Sequence, residues 1–128
     1  MLRLGVVGVG SLGFHHARIL ASMPGIAMKG VHDSNAARRE EVASQLGVTA
    51  HAPVDALLDD VDAVVIAVPT IVHEDVALAA IDRGVHILVE KPIAPTLAAA
   101  DRIVDAADAA EVLVMIGHVE RFNAALRA

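Results

Sequence analysis

Five short, mostly apolar runs, at residues 2–7, 27–32, 63–68, 86–89 and 112–116, are separated by longer stretches with helical spacing. Most of these runs are apolar throughout rather than alternating, the pattern of strands buried on both faces. A parallel sheet with helices on each side satisfies it, because every crossover between parallel strands needs a helix-length connection. Helices are predicted near 12–22, 35–46, 54–58, 71–83 and 96–109. Ser34 or Asn35, Thr70 and Thr96 stand where they could cap three of them, and Gly47 and Gly84 stand where helices stop. A weaker strand is signalled at 48–50, which would make 112–116 the sixth. With 128 residues and no repeat or linker, the expectation is one α/β domain over residues 1–128, a doubly wound parallel sheet.

The composition narrows the partners. Hydrophobic residues make up 55% of the chain, enough to bury a core, but the aromatic content is two Phe with no Tyr or Trp. A net charge of −6 with no Lys/Arg cluster and few rings for base stacking argues against nucleic acid. No cysteine is present, which removes disulfides, thiolate metal sites and a cysteine nucleophile. No apolar stretch approaches the roughly 18 residues of a membrane span, so no membrane partner is expected. No signal peptide is readable at Met1-Leu2-Arg3, and a cytoplasmic location is the default expectation.

Directly after the first strand comes Gly8-Val9-Gly10-Ser11-Leu12-Gly13, a GxGxxG loop opening a predicted helix. In such a loop Gly8 permits the tight turn, Gly10 lets the backbone approach a pyrophosphate, and Gly13 allows close helix–strand packing. The N-terminal N–H groups of the helix, including those of Ser11 and Leu12, suit phosphate oxygens. Asp33 stands twenty residues after Gly13, at the end of the second strand. A carboxylate there accepts from ribose hydroxyls and repels a 2′-phosphate, so NAD is favoured over NADP, with Arg38 keeping NADP in view. The competing role for Asp33 is to cap the following helix. Strand, loop, helix, strand and acid in this order describe a Rossmann fold.

Ligands of open parallel sheets sit outside the carboxyl ends of the strands. Pro69, Thr70, His73, Glu90 and Lys91 fall at that edge, as does His118 after the last strand, and the first five are expected to converge on the nicotinamide half of the cofactor. Lys91 could bind a substrate hydroxyl and help move its proton, or simply pair with Glu90 on the surface. A cis peptide before Pro92 would fix the direction of the lysine. His73 could reach cofactor or substrate or be an ordinary helix histidine. His15 and His16 are consecutive on a helix and face different ways, which makes them poor metal ligands. No metal site and no serine nucleophile elbow are expected.

These elements together, with Val68-Pro69-Thr70, Glu90-Lys91-Pro92 and Gly117-His118-Val119-Glu120-Arg121-Phe122-Asn123, resemble the glucose-fructose oxidoreductase and inositol dehydrogenase (Gfo/Idh/MocA) family over essentially the whole chain. The Gly117 to Asn123 tail is similar to that of members acting on UDP-N-acetylglucosamine at its 3-position. The resemblance implies hydride transfer between a sugar or nucleotide-sugar carbon and NAD. It assigns Lys91 to the reacting hydroxyl and His73 to the neighbourhood of the cofactor. It also implies a C-terminal α/β substrate domain, absent here, which carries an Asp and a His for acid–base work, so this chain is expected to bind the cofactor without being catalytically complete. Ala124 stands where a proline is common in the family. A stand-alone NAD-sensing module, or a domain for another adenine nucleotide or S-adenosylmethionine, is the alternative. Exposed apolar surface makes a homodimer possible.

Overall fold

Residues 1–117 are described by the computed structural model. Strands β1 (Leu2–Val7), β2 (Ile26–His32), β3 (Ala63–Ile66), β4 (His86–Glu90) and β5 (Val114–Gly117) form one parallel sheet in the order β2-β1-β3-β4-β5. Helices α1 (Ser11–Ser22), α2 (Ala36–Leu46), α3 (Val54–Leu58), α4 (His73–Asp82) and α5 (Leu97–Ala110) make the connections, with a 3₁₀ turn at Thr70–Val72 leading into α4. The doubly wound sheet is the one expected. None of these helices is long and apolar enough to cross a membrane.

Strand alternation sorts the core into two layers. Val6, Val65 and the half-buried Leu88 face α1 and α2, where they meet Val9, Ala17, Val42 and Ala43. Val7, Val64, Ile66, Ile87 and Val89 face the other way, onto Leu57, Val76, Ala77, Ile81 and Ile103 of α3, α4 and α5. Both faces of the central strands are therefore dry, which is why their sequences do not alternate. Each fully buried Val, Leu or Ile contributes about 1.5–3 kcal/mol relative to exposure.

Asn35 and Thr96 cap α2 and α5, accepting from Arg38 N at 3.0 Å and Ala99 N at 3.1 Å. Gly47 ends α2 in the left-handed region at φ 68°. Three expectations need correction. The segment 48–50 makes a single parallel bridge, Val31 to Ala50, rather than a strand. It lies between the glycine that stops α2 and Pro53 before α3, too short for a ladder. Consequently the strand at the C-terminal end is the fifth, not the sixth. Thr70 caps nothing: it lies inside the 3₁₀ turn, and neither that turn nor α4 has a side-chain cap. Finally, β3 ends at Ile66 rather than at residue 68, because its neighbour β1 turns away at Gly8 (φ 91°). His118, a last helix that the sequence predicts over 120–127, and most of the tail lie outside the described residues.

Candidate functional site

The chain reverses direction across the sheet at β1: β2 lies on one side of it, β3 to β5 on the other. Such a switch point leaves a crevice at the carboxyl edge, because the connections leave β1 and β3 toward opposite faces. A cleft of about 740 Å³ occupies it, lined by Gly8 and Gly10 after β1, His32 at the end of β2 with Asp33 and Ser34 after it, and Val68 and Pro69 after β3. Ser11, Leu12, Gly13 and Thr70 adjoin these positions in sequence but do not line the cleft, and His73, Glu90 and Lys91 also lie outside its lining.

Each loop glycine is explained by what a side chain would meet. At Gly8, in the left-handed region, a Cβ would lie 2.6 Å from Ala67 O; at Gly13 it would lie 1.7 Å from Gly8 O. Helix α1 thus starts hard against the loop it follows. At Gly10 a Cβ would meet nothing within 4 Å. That position faces open space at the helix start, where no side chain caps α1. The arrangement fits a dinucleotide pyrophosphate, which needs bare backbone and unpaired N–H groups.

Asp33 is tied to the same loop. Its Oδ2 accepts from Val9 N at 2.9 Å and its Oδ1 from Asn35 N at 2.8 Å. The cap of α2 belongs to Asn35, so Asp33 is not needed for that task. Each carboxylate oxygen retains lone pairs with which it could accept a ribose hydroxyl. Two arginines brace this corner. Arg39 donates to Asp33 O at 2.7 Å, and Arg38 Nε donates to Val9 O at 2.7 Å with its guanidinium 5.5 Å from the Phe14 ring centroid. Arg38, the residue that kept NADP in view, is thus bound to the protein itself. Nothing in the sequence signalled these two braces beyond the presence of the arginines.

At the end of β4 the picture differs. Among the described residues two polar side chains are buried, His73 (1% exposed) and Glu90 (6%), and they flank Lys91. The His73 ring lies between two loops, with Nε2 2.8 Å from Val68 O and Nδ1 3.0 and 3.2 Å from Pro92 O and Ile93 O. A carbonyl oxygen only accepts, so the ring donates through N–H wherever it bonds one of these carbonyls. His73 therefore joins the loop after β3 to the loop after β4 from beneath. Glu90 accepts from His16 Nε2 of α1 at 2.5 Å. Lys91 is exposed and, among the described residues, has neither a hydrogen bond nor an ion pair. Its peptide bond to Pro92 is cis. His16 was missed by sequence reasoning, whereas the parity of β4 carried a signal: Glu90 shares the face of Leu88, toward α1.

The chain belongs to the GFO/IDH/MocA family. The model of this oxidoreductase family, described by its NAD-binding Rossmann fold, matches residues 2–118. The UDP-N-acetylglucosamine 3-dehydrogenase of Acidithiobacillus ferrooxidans is 43% identical over 126 residues, 98% of this chain and 40% of the relative. A solved structure of that enzyme superposes with a TM-score of 0.95 at 42% identity, covering 98% of this chain and 41% of that one. The scyllo-inositol 2-dehydrogenase (NAD(+)) of Bacillus subtilis is 34% identical over 128 residues, covering 97% of this chain and 37% of the relative. This chain therefore spans about 40% of the length of these relatives, and NAD is the family's cofactor.

Proposed function

We propose that residues 1–128 are the cofactor-binding domain of an oxidoreductase that transfers a hydride between a hydroxyl-bearing carbon of a sugar or nucleotide-sugar and NAD. The observation that carries this reading is the meeting, at one sheet edge, of an open glycine-lined cleft beside Asp33 with an exposed Lys91 at the end of β4 that has no partner among the described residues. Similarity to UDP-N-acetylglucosamine 3-dehydrogenase favours a nucleotide-sugar.

In this reading the Gly8, Gly10, Ser11, Leu12 and Gly13 backbone takes the pyrophosphate, Asp33 takes the adenosine ribose, and Pro69 and Thr70 border the nicotinamide half. His73 and Glu90 contribute from below, by shaping the loops. Bound NAD supplies the hydride acceptor. Lys91 binds the hydroxyl oxygen and helps draw off its proton as the C–H bond on the same carbon gives up its electron pair. The remaining acid–base groups and the far wall of the sugar pocket are assigned to the part of the relatives' length that residues 1–128 do not match, so these residues by themselves are expected to bind the cofactor without completing the reaction.

Fluorescence titration of residues 1–128 with NADH, beside an assay of NAD reduction with UDP-N-acetylglucosamine, tests both halves of the proposal. Saturable NADH binding with no sugar-dependent reduction is expected. Absence of NADH binding, or robust turnover by this chain alone, overturns it.

A further inference from the structure

A buried carboxylate needs a hydrogen-bond donor or a cation, because the energetic penalty of leaving it unpaired away from water is large. For Glu90 the nearest cation along the chain is Lys91, the next residue. Yet Lys91 is exposed and without a partner among the described residues, and the Glu90 carboxylate instead accepts from His16 Nε2, 74 positions away in sequence. Strand parity makes this possible by turning Glu90 toward α1, on the face of Leu88. A second observation closes the other flank: a Cβ at Gly117, paired with Glu90 across β4 and β5, would fall 2.8 to 3.0 Å from the carboxylate atoms. The end of β5 therefore abuts the carboxylate with bare backbone.

We propose that His16 is a positioning residue for Lys91, acting through Glu90: it holds the carboxylate under α1 and so keeps the ammonium free at the sheet edge. The inference rests on the reading that Lys91 meets a substrate hydroxyl. Without the imidazole the carboxylate loses its donor, the nearest cation along the chain is the Lys91 ammonium, and a pair between the two engages the lysine before any substrate arrives. The role is indirect, since His16 touches Glu90 and not the reacting atoms.

The chain has two lysines, Lys29 and Lys91, and Lys29 pairs with Asp60 at 3.8 Å, so it serves as an internal reference. Reductive methylation of the full chain with ¹³C-formaldehyde gives each lysine a dimethylamine signal that NMR reads in the absence of cofactor. His16→Ala is expected to displace the Lys91 signal and leave that of Lys29. His16→Gln, whose amide N–H also donates to a carboxylate, is expected to keep the wild-type position. The double variant His16→Ala with Glu90→Gln, which removes the charge seeking a partner, is expected to return it. A Lys91 signal unmoved by His16→Ala overturns the proposal.

Should His16→Ala not fold, the wild-type chain decides: Lys91 must react faster than the paired Lys29 with trinitrobenzenesulfonate, and equal or slower reaction overturns the proposal. Neither measurement uses NADH. Failure of NADH to bind would count against the proposed function alone, while normal NADH binding with an unmoved Lys91 signal would count against His16 alone.

Discussion

After β1, the loop from Gly8 to Gly13 takes its shape from glycines packed against Ala67 and against the loop itself, with Asp33 and Arg38 bracing the Val9 backbone from 24 and 29 positions away. After β4, the Lys91 loop is held by side chains 74 and 19 positions from their partners, His16 on Glu90 and His73 on Pro92. In the first region function would come from backbone left bare, so the critical residues are those with nothing to add. In the second it would come from a side chain left free, and freedom there requires that other side chains occupy its neighbours. A buried carboxylate needs a donor; here a histidine from another element supplies it, and the neighbouring lysine is left without a partner among the described residues. Substitution should therefore act differently at the two ends, through sterics in one and through partner exchange in the other.

The largest effect is expected within the glycine loop itself. Gly13→Val places a Cβ against the Gly8 carbonyl, a backbone atom that cannot give way without moving β1 or α1. A loss of about 3 kcal/mol or more is expected in urea unfolding, on the scale of severe overpacking. Gly10→Ala sharpens the contrast, because its Cβ meets open space. Stability should change by about 0.5 kcal/mol or less, while NADH affinity falls about tenfold or more. Equal effects of the two substitutions on folding would erase the distinction between a packing glycine and a ligand glycine.

Lys91→Ala probes the other end. Where residues 1–128 are joined to a substrate domain, the proposed function predicts that turnover falls about 100-fold or more, the scale of losing an acid–base group, with NADH affinity largely kept; near-normal turnover would remove Lys91 from the chemistry. Asp33→Ala should weaken NADH by about 1–3 kcal/mol. Part of that loss comes from freeing Val9 N and Asn35 N, which Asp33 now holds. Asp33→Asn keeps one acceptor oxygen, enough for Val9 N or Asn35 N but not for both, and removes the charge, so an intermediate loss is expected. Unchanged affinity in both variants would leave Asp33 a loop brace.

How far this could be read in the sequence follows from the range of the forces involved. Continuous apolar runs and glycine spacing are local signals, and they gave the sheet, the two layers and the phosphate loop. Thr70 misled because a hydroxyl before an apolar run signals a cap only if a regular helix starts there, and a 3₁₀ turn intervenes. The segment at 48–50 has strand composition but lacks the length for a ladder. For His73 and Glu90 the sequence placed the residues at the correct edge without saying whether each side chain turns outward or into the core. For Glu90 the parity of Leu88 and Glu90 held the answer. For His16 nothing local did, since its partner is on another element and neighbouring His15 is chemically identical.

The smallest effect is expected at the opposite, amino edge of the sheet, which serves as a control for both regions. Arg3 and Asp62 pair there, with the guanidinium 2.8 Å from Oδ1 and the Arg3 backbone N–H donating to Oδ2 at 2.9 Å. Hydrogen bonds from the Arg3 side chain, and next from its backbone, lower the Asp62 pKa from 3.8 to about 2. A group whose pKa is depressed in the folded state contributes stability above its unfolded value and loses it as pH falls through the folded one. The Tm of wild type should therefore exceed that of Asp62→Asn at neutral pH, the gap narrowing as pH drops below about 4 and closing near pH 2. Both side chains are substantially exposed, so the gap should be small and should shrink further in high salt. NADH affinity should not change at any of these pH values on account of Asp62, which lies at the far edge from the cleft. A Tm gap that persisted undiminished at pH 2 would show that the carboxylate charge is not what holds this edge, and a change in NADH affinity would mean that the two edges of the sheet are coupled.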